Sequence, residues 1–280
     1  MAKNTNFFYL IARSPIGTLY KTVSSPHTNI ILAYHGVQKE WHPRCIQTDL
    51  FIEHMKFIKK TGNVLPVNEL VRDLGFNSKA HAIAVTFDDA YSNLMEDAIP
   101  VLAKMNIPAT IYVPIKYIGK KNEWDRNRVE DLLPILSHDD LQSIIKDAKN
   151  ITIGSHGVSH CRLAGLNEKS LQHEIIGSKK GLEQMFGIPI ESIAYPHGGR
   201  LDYDERVLDV VATSGYRFGL SGRYGRYNRE DERWHLRRVT VWCDDDLERF
   251  KAKMQGKYDW ICIKERLAFR LRSLFKGLQK

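Results

Sequence analysis

The sequence lacks the features of a disulfide-stapled or membrane-embedded protein. Its 280 residues contain four cysteines without C-x-x-C spacing, so neither a disulfide framework nor a cysteine zinc site is expected. They are Cys45, Cys161, Cys243 and Cys262. The apolar run FFYLIA at residues 7–12 ends at Arg13 and is far too short to cross a bilayer. We therefore expect a cytoplasmic protein.

The chain also lacks low-complexity blocks and repeats of fixed period, which argues against fibrous and solenoid folds. A hydrophobic content of 43% and a charged content of 26% are ordinary for a globular domain. The net charge of +8 would permit contact with nucleic acid or with an anionic membrane. No recognition motif for nucleic acid accompanies this charge, so we expect no nucleic-acid partner.

Part of the positive charge lies in residues 259–280, where apolar residues recur near helical spacing among basic ones. These apolar residues are Ile263, Leu267, Leu271, Leu274 and Leu278. The pattern predicts an amphipathic helix, which either contacts the inner membrane face peripherally or packs on the protein itself or on a second subunit. We divide the chain into an N-terminal segment 1–27, a main domain 28–246 and a basic helical extension 247–280.

Short β-branched runs alternate with helical patterns along the main domain. The predicted strands are 29–34, 82–87, 109–113, 150–154, 192–195, 217–221 and 238–242. The predicted helices are 48–60, 66–74, 93–106, 137–149, 167–187 and 204–215. This alternation predicts an α/β fold of parallel βαβ units. About seven units fit a closed or nearly closed barrel, with a doubly wound open sheet as the alternative.

Three of these strands run directly into polar residues. The strand 82–87 ends in Asp88 and Asp89, two like charges whose burial is costly unless a cation pairs with them. The strand 150–154 leads to His156 and His160, which are four residues apart, so that one helical turn would bring both rings to one side. Because parallel strands end on the same face, these side chains are expected to converge. One Asp and two His would form a three-ligand metal site with an open position, and the second Asp would accept a proton.

The third strand leads into Pro196 and Gly198, which predict a tight turn able to aim a backbone N–H at an oxyanion. Taken together, the segments TFDDAY, SHGVSH, AYPHG and AYHGV resemble the motifs of the polysaccharide deacetylase family, the metal-dependent carbohydrate esterases with a NodB-type domain. The resemblance covers roughly residues 28–243. It implies a distorted (β/α)7-type barrel, and a hydrolase that removes acetyl groups from an N-acetylated sugar or polysaccharide.

The resemblance also implies roles for individual residues. Asp88 would be the general base, and the metal would be bound by Asp89, His156 and His160. Zinc is the expected ion, with other divalent first-row ions as alternatives. The backbone N–H of His197 would stabilise the oxyanion.

Two features of the family are missing. A late histidine in a Leu-x-His motif, which would supply the general acid, is absent, so His35, His197 or His235 would have to supply it. The arginine that precedes the third motif and orients the base is also absent, and Arg238 could reach the site from a strand end. His35, Tyr91 and Arg238 are further expected to contact substrate.

The segment 114–134 is long and polar, and is either a loop over the active face or a solvated insertion. Its Trp124, together with Tyr91 and Trp242, is expected either to stack on sugar rings or to pack in the core or rim. Two other functions remain open: a metal amidohydrolase acting on a small non-sugar amide, and a catalytically silent carbohydrate-binding protein.

Overall fold

The fold is a closed parallel β-barrel with helices on its outer surface. We describe it from a computed structural model that covers residues 29–72, 74 and 81–277, so the predicted N-terminal segment 1–27 lies outside the described residues. The strands are β1 Asn29–Tyr34, β2 Gly36–Gln38, β3 Cys45–Gln47, β4 Asn63–Val64, β5 Ala82–Phe87, β6 Ala109–Val113, β7 Ile151–Ser155, β8 Ser192–Ala194, β9 Phe218–Tyr224 and β10 Leu236–Thr240.

The barrel closes because β1 pairs in parallel with both β5 and β10. Around the ring, β5 to β10 follow one another in chain order, so that seven strands form the wall. The strand β4 extends the sheet beside the first residues of β5, and β2 and β3 form a separate parallel pair. The predicted parallel barrel is therefore confirmed, and the open-sheet alternative is wrong.

The helices cover the outside of the ring. They are α1 Thr48–Thr61, α2 Val67–Arg72, α3 Leu94–Asp97, α4 Ile99–Met105, α5 His138–Asp147, α6 Glu168–Gln172, α7 Ser178–Phe186, α8 Glu205–Thr213, α9 Leu247–Met254 and α10 Trp260–Gly277. A π-helical turn, His173–Gly177, joins α6 to α7. A capping box begins α5, with the Ser137 hydroxyl accepting from the Asp140 N–H and the Asp140 carboxylate accepting from the Ser137 N–H. The single predicted helix 93–106 divides at Ala98 into α3 and α4.

Apolar side chains fill the barrel interior, and polar side chains lie at one end of it. Val67, Leu70 and Val71 of α2 pack against Ala82 and other buried residues of the barrel interior. The preceding strand β4 pairs with the first residues of β5, so α2 covers the end of the barrel where the strands begin. Polar side chains are thereby directed to the opposite end, where the parallel strands finish.

Residues 247–254 and 260–277 form two helices, and residues between 250 and 265 contact the rest of the fold. The Phe250 ring of α9 stacks on His54 of α1 at 3.9 Å between ring centroids. Arg226, which follows β9, forms an ion pair with Asp259 at 2.7 Å, and Glu265 of α10 accepts a hydrogen bond from the Tyr224 N–H. These contacts are the kind expected if the predicted amphipathic helix packs on the protein itself. The membrane contact and the domain boundary at 247 stay predictions.

Within the described part of the chain, no helix combines the length and the apolar character needed to span a membrane.

Candidate metal centre

A cavity of about 210 Å³ lies at the ends of the barrel strands. Its lining includes all the residues predicted to bind metal or to act as base, and it is rich in ionisable groups. The lining residues are Ala33, His35, Arg44, Asp88, Asp89, Trp124, Asp125, Arg128, His156, His160, His197, Gly222, Arg238 and Thr240. Segments that are distant in sequence therefore meet at one site, as expected from strand ends that share one face.

A sharp turn after β5 directs the two neighbouring aspartates into this cavity. The N–H of Asp88 still continues the strand pairing, since it donates to the Tyr34 carbonyl at 2.9 Å. Asp89 and Ala90 then adopt left-handed backbone angles, with φ of 69° and 54°. Non-glycine residues rarely adopt this conformation, which is typical of sites where the chain must re-aim a side chain. The alternation of a strand is broken here, and both carboxylates line the same cavity.

The two histidines are held by a loop, and the expected helical turn between them is absent. The buried Glu174 carboxylate organises this loop by accepting hydrogen bonds from the N–H groups of Val158 and Ser159 at 2.9 and 3.0 Å and from the Ser159 hydroxyl at 2.6 Å. His160 has a left-handed φ of 55°. Glu174 comes from the π-helical turn, a rare distortion often found beside functional sites. The prediction of a shared side for the two rings is right, but its predicted cause is wrong.

The three predicted ligands have the geometry of a metal site. The Asp89 Oδ1 atom lies 3.4 Å from His156 Nε2 and 3.1 Å from His160 Nε2, and the three ligand atoms all lie within 4.8 Å of one another. Ligand bonds of 2.0–2.1 Å in a tetrahedral arrangement separate ligand atoms by about 3.4 Å. The Asp89 Oδ1 atom is buried and has no hydrogen-bond partner among the described residues. A divalent cation between the three atoms would satisfy it, so these residues fit a metal ion.

The histidine rings are oriented by their neighbours. The His156 Nδ1 atom lies 2.7 Å from the Ala194 carbonyl, which can only accept, so Nδ1 carries the proton and Nε2 is left as a ligand atom. The His160 ring stacks on Trp124 with 4.1 Å between ring centroids. Burial disfavours the charged Asp89 carboxylate, but His160 and His156 outweigh this effect and hold its pKa well below the usual value. Asp89 is therefore ionised, as a metal ligand must be.

Arg238 fixes the other aspartate. Its Nη1 and Nη2 atoms each donate to one Asp88 carboxylate oxygen at 2.7 Å, and its Nε donates to the Ser221 carbonyl at 2.9 Å. Arg238 lies on β10 and is almost completely buried. Burial favours the neutral form of Asp88, but Arg238 outweighs it and lowers the pKa of the carboxyl. The guanidinium thus occupies the position expected for the missing orienting arginine. Its contact with substrate stays a prediction.

Replacing Arg238 by Met should lower the free energy of unfolding by about 3–5 kcal/mol, because the buried Asp88 carboxylate loses its partner. Urea unfolding measures this directly. Adding Asp88→Asn to the Met variant should recover part of the loss, because no unpaired charge is then buried. A loss below about 1 kcal/mol for Arg238→Met would contradict a tightly coupled pair.

The turn after β8 also reaches the cavity. His197 has a left-handed φ of 60°, and its N–H donates no hydrogen bond to any described residue. The turn packs closely on β9, since a Cβ atom on Gly198 would lie 2.3 Å from the Gly222 backbone nitrogen. Only glycine fits at position 198, so this contact fixes where the His197 backbone lies.

The three aromatic residues that were expected to stack on sugar rings lie in different environments. Trp124 lines the cavity, so the segment 114–134 reaches over the site. Tyr91 has no exposed surface, and its hydroxyl accepts from the Asn122 side chain at 3.2 Å. Its ring therefore offers no surface to a sugar, which corrects the expected substrate contact. Trp242 packs under the ammonium group of buried Lys253, 3.9 Å from its ring centroid.

Sequence reasoning missed two supporting groups, Glu174 and the ion pair of Arg44 with Asp125. The Arg44 Nε and Nη2 atoms donate to the two Asp125 oxygens at 2.8 and 2.5 Å. Glu174, Arg44 and Asp125 each lie in a loop or a helical turn that has no distinctive local sequence motif. Only the expectation that segment 114–134 covers the site pointed to Asp125.

Comparisons with known proteins indicate a protein family. A family model described as polysaccharide deacetylase matches residues 76–219. YxkH of Bacillus subtilis (strain 168), a polysaccharide deacetylase by name, is 29% identical over 214 residues, which span 75% of this chain and 70% of that protein. The poly-beta-1,6-N-acetyl-D-glucosamine N-deacetylase of Staphylococcus aureus (strain MRSA252) is 24% identical over 185 residues, which span 64% of this chain and 60% of that protein.

Solved structures share the fold. The Streptococcus pyogenes deacetylase PplD, solved in complex with acetate, matches with a TM-score of 0.67 and 21% identity over 82% of this chain and 99% of that chain. BC0361, a polysaccharide deacetylase from Bacillus cereus, matches with a TM-score of 0.66 and 25% identity over 81% of this chain and 69% of that chain. At 21% identity, the first match is evidence for the fold alone.

Proposed function

Because the chain belongs to the polysaccharide deacetylase family, whose members hydrolyse amide bonds, we propose that it removes acetyl groups from an N-acetylated sugar or polysaccharide with the help of a divalent ion. The observation that carries this proposal is the convergence of Asp89, His156 and His160 beside the Arg238-bound Asp88 in one cavity. A carboxylate base next to a three-ligand cation site is one arrangement that can hydrolyse a stable amide.

Asp89, His156 and His160 would hold the cation, which when bound polarises a substrate carbonyl and activates water. Nitrogen and oxygen ligands suit zinc, cobalt or nickel, and zinc is the proposed default. The ligand atoms are buried at the base of the cavity. An acetamido group would have to enter the cavity to reach them, with the rest of the sugar towards the opening.

Asp88 accepts the proton of the attacking water. Its pKa is lowered by Arg238, so it is ionised at neutral pH and ready to act as a base. Arg238 also holds both carboxylate oxygens, which fixes the direction of the lone pairs. Arg238 is thus a positioning residue for the base.

The amide nitrogen must gain a proton before it leaves as an amine. His35 and His197 both line the cavity, whereas His235 is outside its lining. Burial and the neighbouring His160 lower the pKa of His197 to about 4, so its ring is neutral at pH 7. Burial also lowers the pKa of His35, but Asp89 and Asp88 oppose this shift. We assign proton donation to the His35 side chain, which lines the cavity together with Asp88 and Asp89, and oxyanion stabilisation to the His197 backbone N–H.

The cavity volume also supports a second candidate, a small N-acetylated amide. Ligand pockets for drug-sized molecules usually have volumes of about 300–1,000 Å³, and this cavity has about 210 Å³. Such a volume suits an acetamido group or a small substrate better than a buried sugar chain. Trp124 at the lining favours a glycan that lies across the opening.

The test is a measurement of released acetate from N-acetylglucosamine oligomers and from small N-acetyl amides, with added zinc, cobalt or nickel. We expect acetate release from the oligomers, and a much larger loss for His35→Asn than for His197→Ala, since only the backbone of residue 197 takes part. Release from the small amides alone would replace the glycan proposal by the second candidate. Release from neither class with any ion would contradict the proposed function.

A further inference from the structure

Two arginines at the cavity have no part in the steps above. Arg44 precedes β3, and Arg128 lies in the segment 114–134 that reaches over the site. Both line the same cavity as the metal ligands. Both also approach a single carboxylate, that of Asp125, whose side chain is only 1% exposed. Two guanidinium groups therefore share one buried counter-charge beside the reacting groups.

The sharing is unequal. Arg44 binds both Asp125 oxygens in a bidentate pair at 2.8 and 2.5 Å, whereas the closest Arg128 atom, Nη1, lies 3.8 Å from Asp125 Oδ1. A bidentate arginine–carboxylate pair largely satisfies both partners. The Arg128 guanidinium donates no hydrogen bond to any described residue, and its side chain is 47% exposed. Its donors are thus available to a ligand at the cavity opening.

The charge of the cavity points to the same conclusion. Three arginines, Arg44, Arg128 and Arg238, balance three lining aspartates. A divalent ion on Asp89 would leave the cavity with an excess of two positive charges, and the oxyanion of the reaction would not lower this total, because Asp88 takes up the proton of the attacking water. The neutral sugar hydroxyls of a simple glycan would leave the remaining charge without a partner. An anionic group on the substrate would supply the negative charge that pairs with it.

We propose that Arg128, held near the site by the Arg44–Asp125 pair, binds an anionic group, a phosphate or a carboxylate, on the glycan that carries the N-acetyl group. A planar guanidinium with unused donors matches both of these groups in a bidentate manner. This inference rests on the proposed function for its substrate, but concerns a separate contact. It predicts that the enzyme selects anionic over neutral N-acetylated glycans.

The test compares three N-acetylglucosamine oligosaccharides of equal length, one neutral, one with a carboxylate and one with a phosphate. Acetate release should show kcat/KM about tenfold higher for at least one anionic compound than for the neutral one. Arg128→Gln should remove most of this preference, and added salt should weaken it in the native enzyme. The matched control is Arg126→Gln, which removes the same charge from the same segment, where the Arg126 side chain is 68% exposed and pairs with Glu123.

A binding measurement can test the anionic subsite separately from the proposed deacetylase function. The same compounds are titrated calorimetrically into the Asp88→Asn variant, which should bind substrate without turning it over. The subsite is supported if an anionic compound binds more tightly than the neutral one and if adding Arg128→Gln removes this difference. This holds even if no acetate is ever released. Equal acetate release and equal affinity for neutral and anionic compounds would overturn the subsite and leave the deacetylase proposal intact. An equal loss in Arg126→Gln would also overturn it, because the effect would then be one of general charge.

Discussion

Asp88→Asn is expected to lower kcat by about a thousandfold, because the amide side chain cannot accept the proton of the attacking water. The substitution keeps the size of the side chain, and the amide oxygen can still accept one of the two hydrogen bonds from Arg238, so the three metal ligands should stay in place. Asp88 accepts hydrogen bonds from Arg238 and lies outside the three-ligand cluster. The variant should therefore still bind one divalent ion. Acetate release at saturating substrate measures the effect.

The control is Asp139→Asn, which removes one carboxylate charge at the start of α5, where the side chain is 97% exposed. It should have nearly the activity of the native enzyme. If Asp88→Asn retained more than about a tenth of the native kcat, the assignment of Asp88 as the base would be wrong.

The second large effect is expected for Asp89→Asn. This substitution makes the same chemical change as Asp88→Asn, one residue further along the chain. Here the loss should arise from the ion itself, because a neutral amide is a far weaker ligand than a carboxylate for a divalent cation. We expect the apparent affinity for zinc to fall by at least about 100-fold, and activity with it. Titration of activity with added zinc measures both.

Excess metal distinguishes the two variants. High zinc should restore part of the activity of Asp89→Asn, whereas it should restore none to Asp88→Asn. The reverse result, rescue of Asp88→Asn by metal, would exchange the roles of the two neighbouring aspartates. The contrast is sharp because both side chains line one cavity and are almost equally buried.

The parts of the fold that depend on local pattern were predictable. The strands β5 and β6 have the predicted bounds 82–87 and 109–113. A buried parallel strand reads as a continuous apolar run, and its end is marked by the first charged residue. For this reason Asp88 and His156 could be recognised as strand-end residues from the sequence alone.

Barrel closure could not be read from the same pattern. It depends on β1 pairing with β10, two segments separated by about two hundred residues. No local periodicity distinguishes a sheet that closes from one that stays open. The resemblance to a barrel family supplied the expectation that periodicity alone left open.

The supporting groups of the site were harder to foresee. Glu174 holds the histidine loop from a π-helical turn inside a segment that reads as an ordinary helix. Arg238, which reaches Asp88 across 150 positions of sequence, was expected only because the orienting arginine of the family is missing from its usual place. Tyr91 was misjudged because a residue next to the aspartates can be completely buried beside them. Such partners are decided by the three-dimensional arrangement of loops.

The central claim is that Asp89, His156 and His160 together hold one divalent ion. Elemental analysis of the purified protein after incubation with zinc and removal of excess ion tests it most directly. The account predicts about one zinc per chain in the native protein and in Asp88→Asn, and a small fraction of that in Asp89→Asn and in a variant with both histidines replaced by Ala. A native protein that retains no zinc, cobalt or nickel, or ligand variants that retain a full equivalent, would contradict it.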